Sequence, residues 1–209
     1  MKRLFLAIAT LVLSLPTFAQ YSSGGFDLDK QNLYYGARMG LNVASLSGHT
    51  ASYTDLSGTR AGLILGGVIG LRLSSTSPVF LESGVYYTER GGKGKEDGVE
   101  TNSKTNCFEI PVLVKYGFQV APEVALLPFL GPYFSYAIGG KTEGVQGNKH
   151  SSFNDGYFKH TDMGLKFGCG AEYNKLYLEA GFALGLADIA ESGGAAHNRA
   201  FYLNFGVNF

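Results

Sequence analysis

The last eleven residues of the chain, 199–209, constrain its fold more than any other stretch. One parity of this stretch holds Phe201, Leu203, Phe205, Val207 and Phe209, and the other holds Tyr202, Asn204, Gly206 and Asn208. A strict period of two is typical of a β-strand with one apolar and one polar face. The stretch ends on a large apolar residue, which would fray in water. A C-terminal strand of this kind is typical of an outer-membrane β-barrel, whose outward face lies in lipid.

The N-terminus carries a predicted export signal. Lys2 and Arg3 precede an apolar stretch, 4–15, and small residues follow at Thr17 and Ala19. This order of segments is typical of a secretory signal peptide, and the apolar stretch is too short for a spanning helix. We therefore predict a cleaved signal peptide over 1–19, a short periplasmic lead-in over 20–32 and a barrel over 33–209.

Six further stretches show the same period of two as the C-terminal strand, and a seventh, 124–139, shows it weakly but contains Pro128 and Pro132, which argue against a helix. We predict strands at about 33–46, 60–73, 79–90, 107–118, 124–139, 160–173 and 176–188. With the C-terminal strand, they predict an all-β fold: an eight-stranded antiparallel up-and-down transmembrane β-barrel. Long and short connections alternate, which predicts extracellular long loops and two periplasmic termini. A soluble barrel of lipocalin type would instead carry charged residues along its outer face.

The polar parity of the strands carries ten charged residues, which we predict to face the lumen. They are Arg38, Arg72, Glu82, Arg90, Glu109, Lys115, Asp162, Lys166, Glu172 and Glu179. The two signs balance, and the lumen of an eight-stranded barrel is only wide enough for side chains to fill it. We therefore expect these charges to pair across the lumen, between inward glycines that make room for long side chains. A charge-lined pore for small solutes is the alternative.

The two cysteines fall on opposite parities of their strands. Cys107 lies on the polar face and Cys169 on the apolar face, so their sulfur atoms would lie on opposite sides of the wall. We predict two free thiols.

Several segments resemble the PorT-like outer-membrane β-barrel proteins, a "porin family" domain common in Bacteroidota. They are 36–42 (GARMGLN), 108–116 (FEIPVLVKY), 130–136 (LGPYFSY), 164–173 (GLKFGCGAEY) and the terminal Phe. The resemblance covers essentially all of the mature chain, and one branch of the family is linked to protein secretion across the outer membrane. It also implies that Phe209, with Phe205 and Phe201, forms the signal that the barrel-assembly machinery reads through strand pairing.

The sequence predicts no catalytic residue, no cofactor and no metal site. The four His residues, at 49, 150, 160 and 197, fall in predicted loops or at strand ends. A hydrolase at the outer rim, built from His160, Asp162 and Ser151 or Ser152, is a remote alternative, because no spacing brings these residues together. We do not expect the chain to be an enzyme.

The expected partners follow from charge and location. The chain has 17 basic and 17 acidic residues, and cleavage would remove Lys2 and Arg3, so no basic surface for nucleic acid is expected. The expected partners are the lipid bilayer of the outer membrane, the barrel-assembly machinery and envelope or secretion-complex proteins. The predicted function is a side-chain-plugged scaffold that presents extracellular loops for envelope, adhesion or secretion roles.

Overall fold

The structure, a computed structural model, describes residues 32–50, 55–96, 99–121, 123–143, 149–151, 160–187 and 194–209. The predicted signal peptide and most of the predicted lead-in therefore lie outside the described residues. In the described part there are ten strands, and no helix there could cross a membrane. The strands are β1 (Leu33–Thr50), β2 (Asp55–Arg72), β3 (Val79–Glu96), β4 (Val99–Tyr116), β5 (Phe118–Ala121), β6 (Val124–Glu143), β7 (Lys149–Ser151), β8 (Thr161–Tyr173), β9 (Leu176–Gly185) and β10 (Gly194–Asn208).

Eight of these strands close into an antiparallel barrel. Neighbours pair in the order β4, β3, β2, β1, β10, β9, β8 and β6, and pairing of β6 with β4 closes the ring. This confirms the predicted eight-stranded barrel. The two short strands, β5 and β7, pair with opposite ends of β6. We call the end of the barrel that holds Leu33 and Phe209 the near end, and the other end the far end.

The register of the strands sets the width of the barrel. Paired residues followed from Leu33 around the whole ring lead back to β1 at Val43, ten residues farther along the strand. With a rise of about 3.3 Å per residue and a strand spacing of about 4.8 Å, this stagger requires a strand tilt of about 40° and a backbone radius of about 8 Å. A lumen of that radius has room for side chains and little else.

The outward face of the barrel carries an apolar band between two aromatic girdles. Tyr35 packs on Phe209 at the near end, and Tyr87 packs on Phe108 at the far end. None of the described side chains exposed between these girdles is charged. The half-buried hydroxyl of Ser83 donates to a backbone carbonyl at 2.8 Å. This is the outer surface expected of a barrel in lipid.

The strands are longer at the far end than the sequence predicts. β3 and β4 cover most of the segment 91–106, which was predicted as a loop, and their ladder is continuous from Arg90 to Glu96. Gly and Lys disfavour strands in isolation, but the barrel below already holds both strands in register, so pairing extends upward. The short connection predicted between the strands at 107–118 and 124–139 was also wrong in part, because β5 pairs with β6 there.

Candidate functional site: the charged lumen

Nine of the ten charged residues predicted to face the lumen are buried inside the barrel. They are Arg38, Glu82, Arg90, Glu109, Lys115, Asp162, Lys166, Glu172 and Glu179. The tenth, Arg72, is half-buried at the near rim, where its Nε donates to the Ser74 carbonyl at 2.7 Å. The strands therefore bring most of the predicted charged residues into the lumen, and strand register determines which of them form ion pairs.

The near-half centre consists of Arg38, Glu82, Lys115 and Glu179. The Glu82 carboxylate lies 2.8 Å from Lys115 Nζ and 3.6 Å from Arg38 Nη2, and it accepts a hydrogen bond of 2.7 Å from the Tyr34 hydroxyl. Lys115 Nζ is also 3.4 Å from Glu179, which accepts a hydrogen bond of 2.8 Å from the Tyr177 hydroxyl. Two cations face two carboxylates, so the formal charge of this centre is zero.

The far-half centre consists of Arg90, Glu109, Asp162 and Lys166. Glu109 forms ion pairs with both Arg90 and Lys166. Arg90 Nη1 reaches Asp162 at 3.3 Å, and the Tyr133 hydroxyl donates to the same carboxylate at 3.1 Å. This centre also has two cations and two carboxylates. Each of the two centres is thus neutral by itself, which limits the cost of burying its charges.

Aromatic rings complete the surroundings of the buried cations. The guanidinium of Arg38 lies 4.0 Å from the centre of the Tyr177 ring, and Lys166 Nζ lies 4.6 Å from that of Tyr202. A desolvated cation is attracted to the face of such a ring. The aromatic rings therefore both fill the lumen and stabilise its charges.

Inward glycines provide the space for these rings. Tyr34 lies against Gly70, Tyr86 against Gly66, Tyr177 against Gly170 and Tyr202 against Gly181. A Cβ atom at any of these glycines would clash with the ring that covers it. This confirms the prediction that inward glycines make room for long side chains from neighbouring strands.

Glu172 differs from the other buried carboxylates because it forms no ion pair with any described residue. Its Oε1 accepts a hydrogen bond of 3.0 Å from Asn208 Nδ2, and its Oε2 has no hydrogen-bond partner in the described part of the chain. Nε and Nη2 of Arg38, in the same half of the lumen, also lack hydrogen-bond partners. Donors and acceptors that are buried without partners are the usual sites of ordered water.

The sequence analysis missed the hydroxyl groups and amides of this network. Tyr34, Tyr133 and Tyr177 each donate to a buried carboxylate, and so do Asn204 and Asn208. All five lie on the polar parity of their strands, so the signal was available. Tyrosine and asparagine carry no charge, so the charged residues of that parity do not include them.

His160 and Asp162 of the alternative hydrolase site are not brought together. The His160 ring stacks on the outward-facing Tyr136 with 5.8 Å between ring centres, whereas Asp162 faces the lumen and binds Arg90. Ser151 lies in β7, and Ser152 is outside the described residues.

The two cysteines are free thiols. Cys107 is buried and Cys169 is exposed on the outward face. This confirms the prediction made from their parity.

The proposed assembly signal lies on β10 and at its end. Phe201 and Phe205 are exposed on the outward face. The backbone of Phe209 exchanges two hydrogen bonds with Tyr35, of 2.8 and 3.1 Å. The terminal residue thus belongs to the seam between the first and last strands.

The closed barrel has an uncharged outer band and a charged, filled lumen, as expected of an outer-membrane protein. A family model described as "Outer membrane protein beta-barrel domain" matches residues 16–191 of the chain. The chain belongs to this family. It is therefore an integral β-barrel protein of the outer membrane. Comparison with curated protein sequences gives no match.

Solved outer-membrane barrels share the fold of this family member. OprG from Pseudomonas aeruginosa is 10% identical with a TM-score of 0.53, and the alignment covers 88% of this chain and 99% of OprG. Neisserial surface protein A is 17% identical with a TM-score of 0.47, covering 86% and 98%. Ail from Yersinia pestis is 14% identical with a TM-score of 0.46, covering 86% and 100%. At such identities the likeness concerns the fold alone.

Proposed function

We propose that this outer-membrane barrel is a closed scaffold whose lumen is plugged by its own side chains. The observation that carries the proposal is the pair of neutral ion-pair centres, one in each half of a lumen of about 8 Å backbone radius. Their members are at most 8% exposed, and large tyrosines lie between them. A hydrated ion crossing the lumen would have to displace both centres and leave buried charges unpaired.

The scaffold presents its far end outside the cell, with both termini in the periplasm. Support comes from the lengths of the strands and connections. The β8–β9 turn at the near end has two residues, whereas β1, β2, β3, β4 and β6 continue at the far end well beyond the aromatic girdle. Outer-membrane barrels have short periplasmic turns and long extracellular loops. The extended far ends of these strands form the surface for envelope, adhesion or secretion-complex partners.

The proposed scaffold has no catalytic activity. The support is the engagement of Asp162 by Arg90, which leaves this carboxylate unavailable to orient a catalytic histidine.

Single-channel recording in planar bilayers tests the plug. The mature chain is refolded in detergent, and folding is checked by the heat-sensitive shift in gel mobility. We expect the folded protein to give no stable conductance. We expect the double variant Arg90→Ala/Glu109→Ala, which empties part of the far-half centre, to give measurable openings. Ser83→Ala, on the outward face, is the matched control and should remain silent.

A small-solute pore is the second candidate. It is favoured by polar atoms of Arg38 and Glu172 that have no hydrogen-bond partner among the described residues and so leave sites for water in the near half of the lumen. A stable ohmic conductance from the unmodified protein, altered by neutralising Glu82 or Arg38, would replace the plug with this pore.

A further inference from the structure

Arg199 stands at the far edge of the apolar band, on the seam between β1 and β10. It is exposed on the outward face of β10, two residues above the lipid-facing Phe201. Its cross-strand partners are Ser45 on β1 and Leu184 on β9, and His197 lies two residues farther toward the far end on the same face of β10. The guanidinium therefore lies where the hydrocarbon layer ends and lipid headgroups begin.

No described residue neutralises the charge of Arg199. Among the described residues it forms no ion pair, and its neighbours on the outward face carry no carboxylate. Lys104, also on the outward face beyond the far girdle, differs because its Nζ lies 2.9 Å from the Glu89 carboxylate. The buried arginines Arg38 and Arg90 are likewise paired. Arg199 thus offers five donors to a group outside the chain.

An aromatic row runs along the wall directly below Arg199. Phe201 packs on Phe182 with 5.1 Å between ring centres, and Phe182 stacks on Phe167 at 5.8 Å. All three rings are exposed on the outward face. A molecule bound at Arg199 would therefore have an anionic head at the band edge and apolar chains lying over this row.

We propose that Arg199, with Ser45 and His197 beside it and the row of Phe201, Phe182 and Phe167 below it, binds a phosphate-bearing lipid of the outer leaflet. Phosphate is the anionic group found at headgroup depth, and a guanidinium can bind two of its oxygens at once. This lipid site rests on the orientation proposed above, in which the far end of the barrel lies outside the cell. It does not depend on whether the lumen conducts.

Binding of purified lipid A to the refolded barrel in detergent tests the proposal. Native mass spectrometry counts lipids retained by the barrel during a titration with bisphosphorylated lipid A and, separately, with the same lipid after removal of its phosphates. We compare the unmodified protein with Arg199→Gln and Lys104→Gln. Both variants lose one positive charge at the far edge, but Lys104 already has a carboxylate partner.

We expect the unmodified protein to bind the bisphosphorylated lipid more tightly than the dephosphorylated one. Arg199→Gln should weaken binding about fivefold, the effect expected of one basic residue at a membrane surface, and Lys104→Gln by less than about twofold. Equal affinities of the unmodified protein and Arg199→Gln would overturn the proposal, and so would equal retention of the two lipids. Detergent micelles impose no orientation on the barrel. A failure of lipid binding would therefore leave the proposed plugged scaffold unaffected. Channel recording tests the plug alone.

Discussion

Glu109 should be the carboxylate whose loss is most harmful to the barrel. It forms ion pairs with both Arg90 and Lys166 and is 1% exposed. In the variant Glu109→Leu, Arg90 retains Asp162, but Lys166 loses its carboxylate partner and remains buried among tyrosine rings. Removing one partner of a buried ion pair typically costs about 3–5 kcal/mol. We expect a loss of that size in the free energy of unfolding.

Urea unfolding of the refolded barrel in lipid vesicles, followed by the heat-sensitive gel shift, measures this loss. Two comparisons isolate its cause. Glu89→Gln breaks the partly exposed pair with Lys104 and should cost only about 0–1 kcal/mol. Glu109→Leu/Lys166→Met removes one charge of each sign and leaves Arg90 with Asp162, so it should be more stable than Glu109→Leu alone. A double variant as unstable as the single one would refute the reasoning, because it would show that lost packing, and not an unpaired cation, destabilises the barrel.

Three further predictions concern the wall and its assembly. Leu203→Arg, near the middle of the apolar band, should cost about 2–4 kcal/mol in vesicles, whereas Ser45→Arg at the band edge should cost about 0–1 kcal/mol; equal losses would mean that the band is misplaced. Gly66→Val should reduce the folded fraction on gels, because its Cβ would clash with the Tyr86 ring. Gly67→Val should fold normally, because the nearest atom to a Cβ at that position lies 3.8 Å away. Deletion of Phe209 should lower the amount of assembled barrel in isolated outer membranes, and unchanged amounts would exclude its role as an assembly signal.

The wall of the barrel could be predicted from the sequence because a period of two assigns each residue to a face. β6 shows how far this works. Pro128 and Pro132 argue against a helix there, and the remaining alternation predicts a strand. The structure confirms the strand, with Phe134 exposed and Tyr133 buried. Pairing with β4 is interrupted beside Pro132, as expected of a residue without an N–H donor.

The pairing of charges in the lumen could not be predicted, because parity gives the face of a residue and not its height. Height depends on strand register and on the ten-residue stagger of the whole ring. Ten charges of balanced sign suggested complete pairing. Glu172, however, forms no ion pair among the described residues and accepts a hydrogen bond from Asn208 instead. The height of each charge, and therefore its partner, is defined only in the closed barrel.

The distribution of charge between the two halves of the chain bears on how the barrel closes. Among the buried charges, β1 to β4 contribute three cations and two carboxylates: Arg38, Arg90, Lys115, Glu82 and Glu109. The strands from β6 onward contribute one cation and three carboxylates: Lys166, Asp162, Glu172 and Glu179. The first half of the nascent wall is therefore electropositive on its inner surface and the second half electronegative. In the closed barrel these two inner surfaces face each other, and ion pairs such as Lys115 with Glu179 and Arg90 with Asp162 join them. The electrostatic attraction between the two halves of the chain therefore favours closure of the ring.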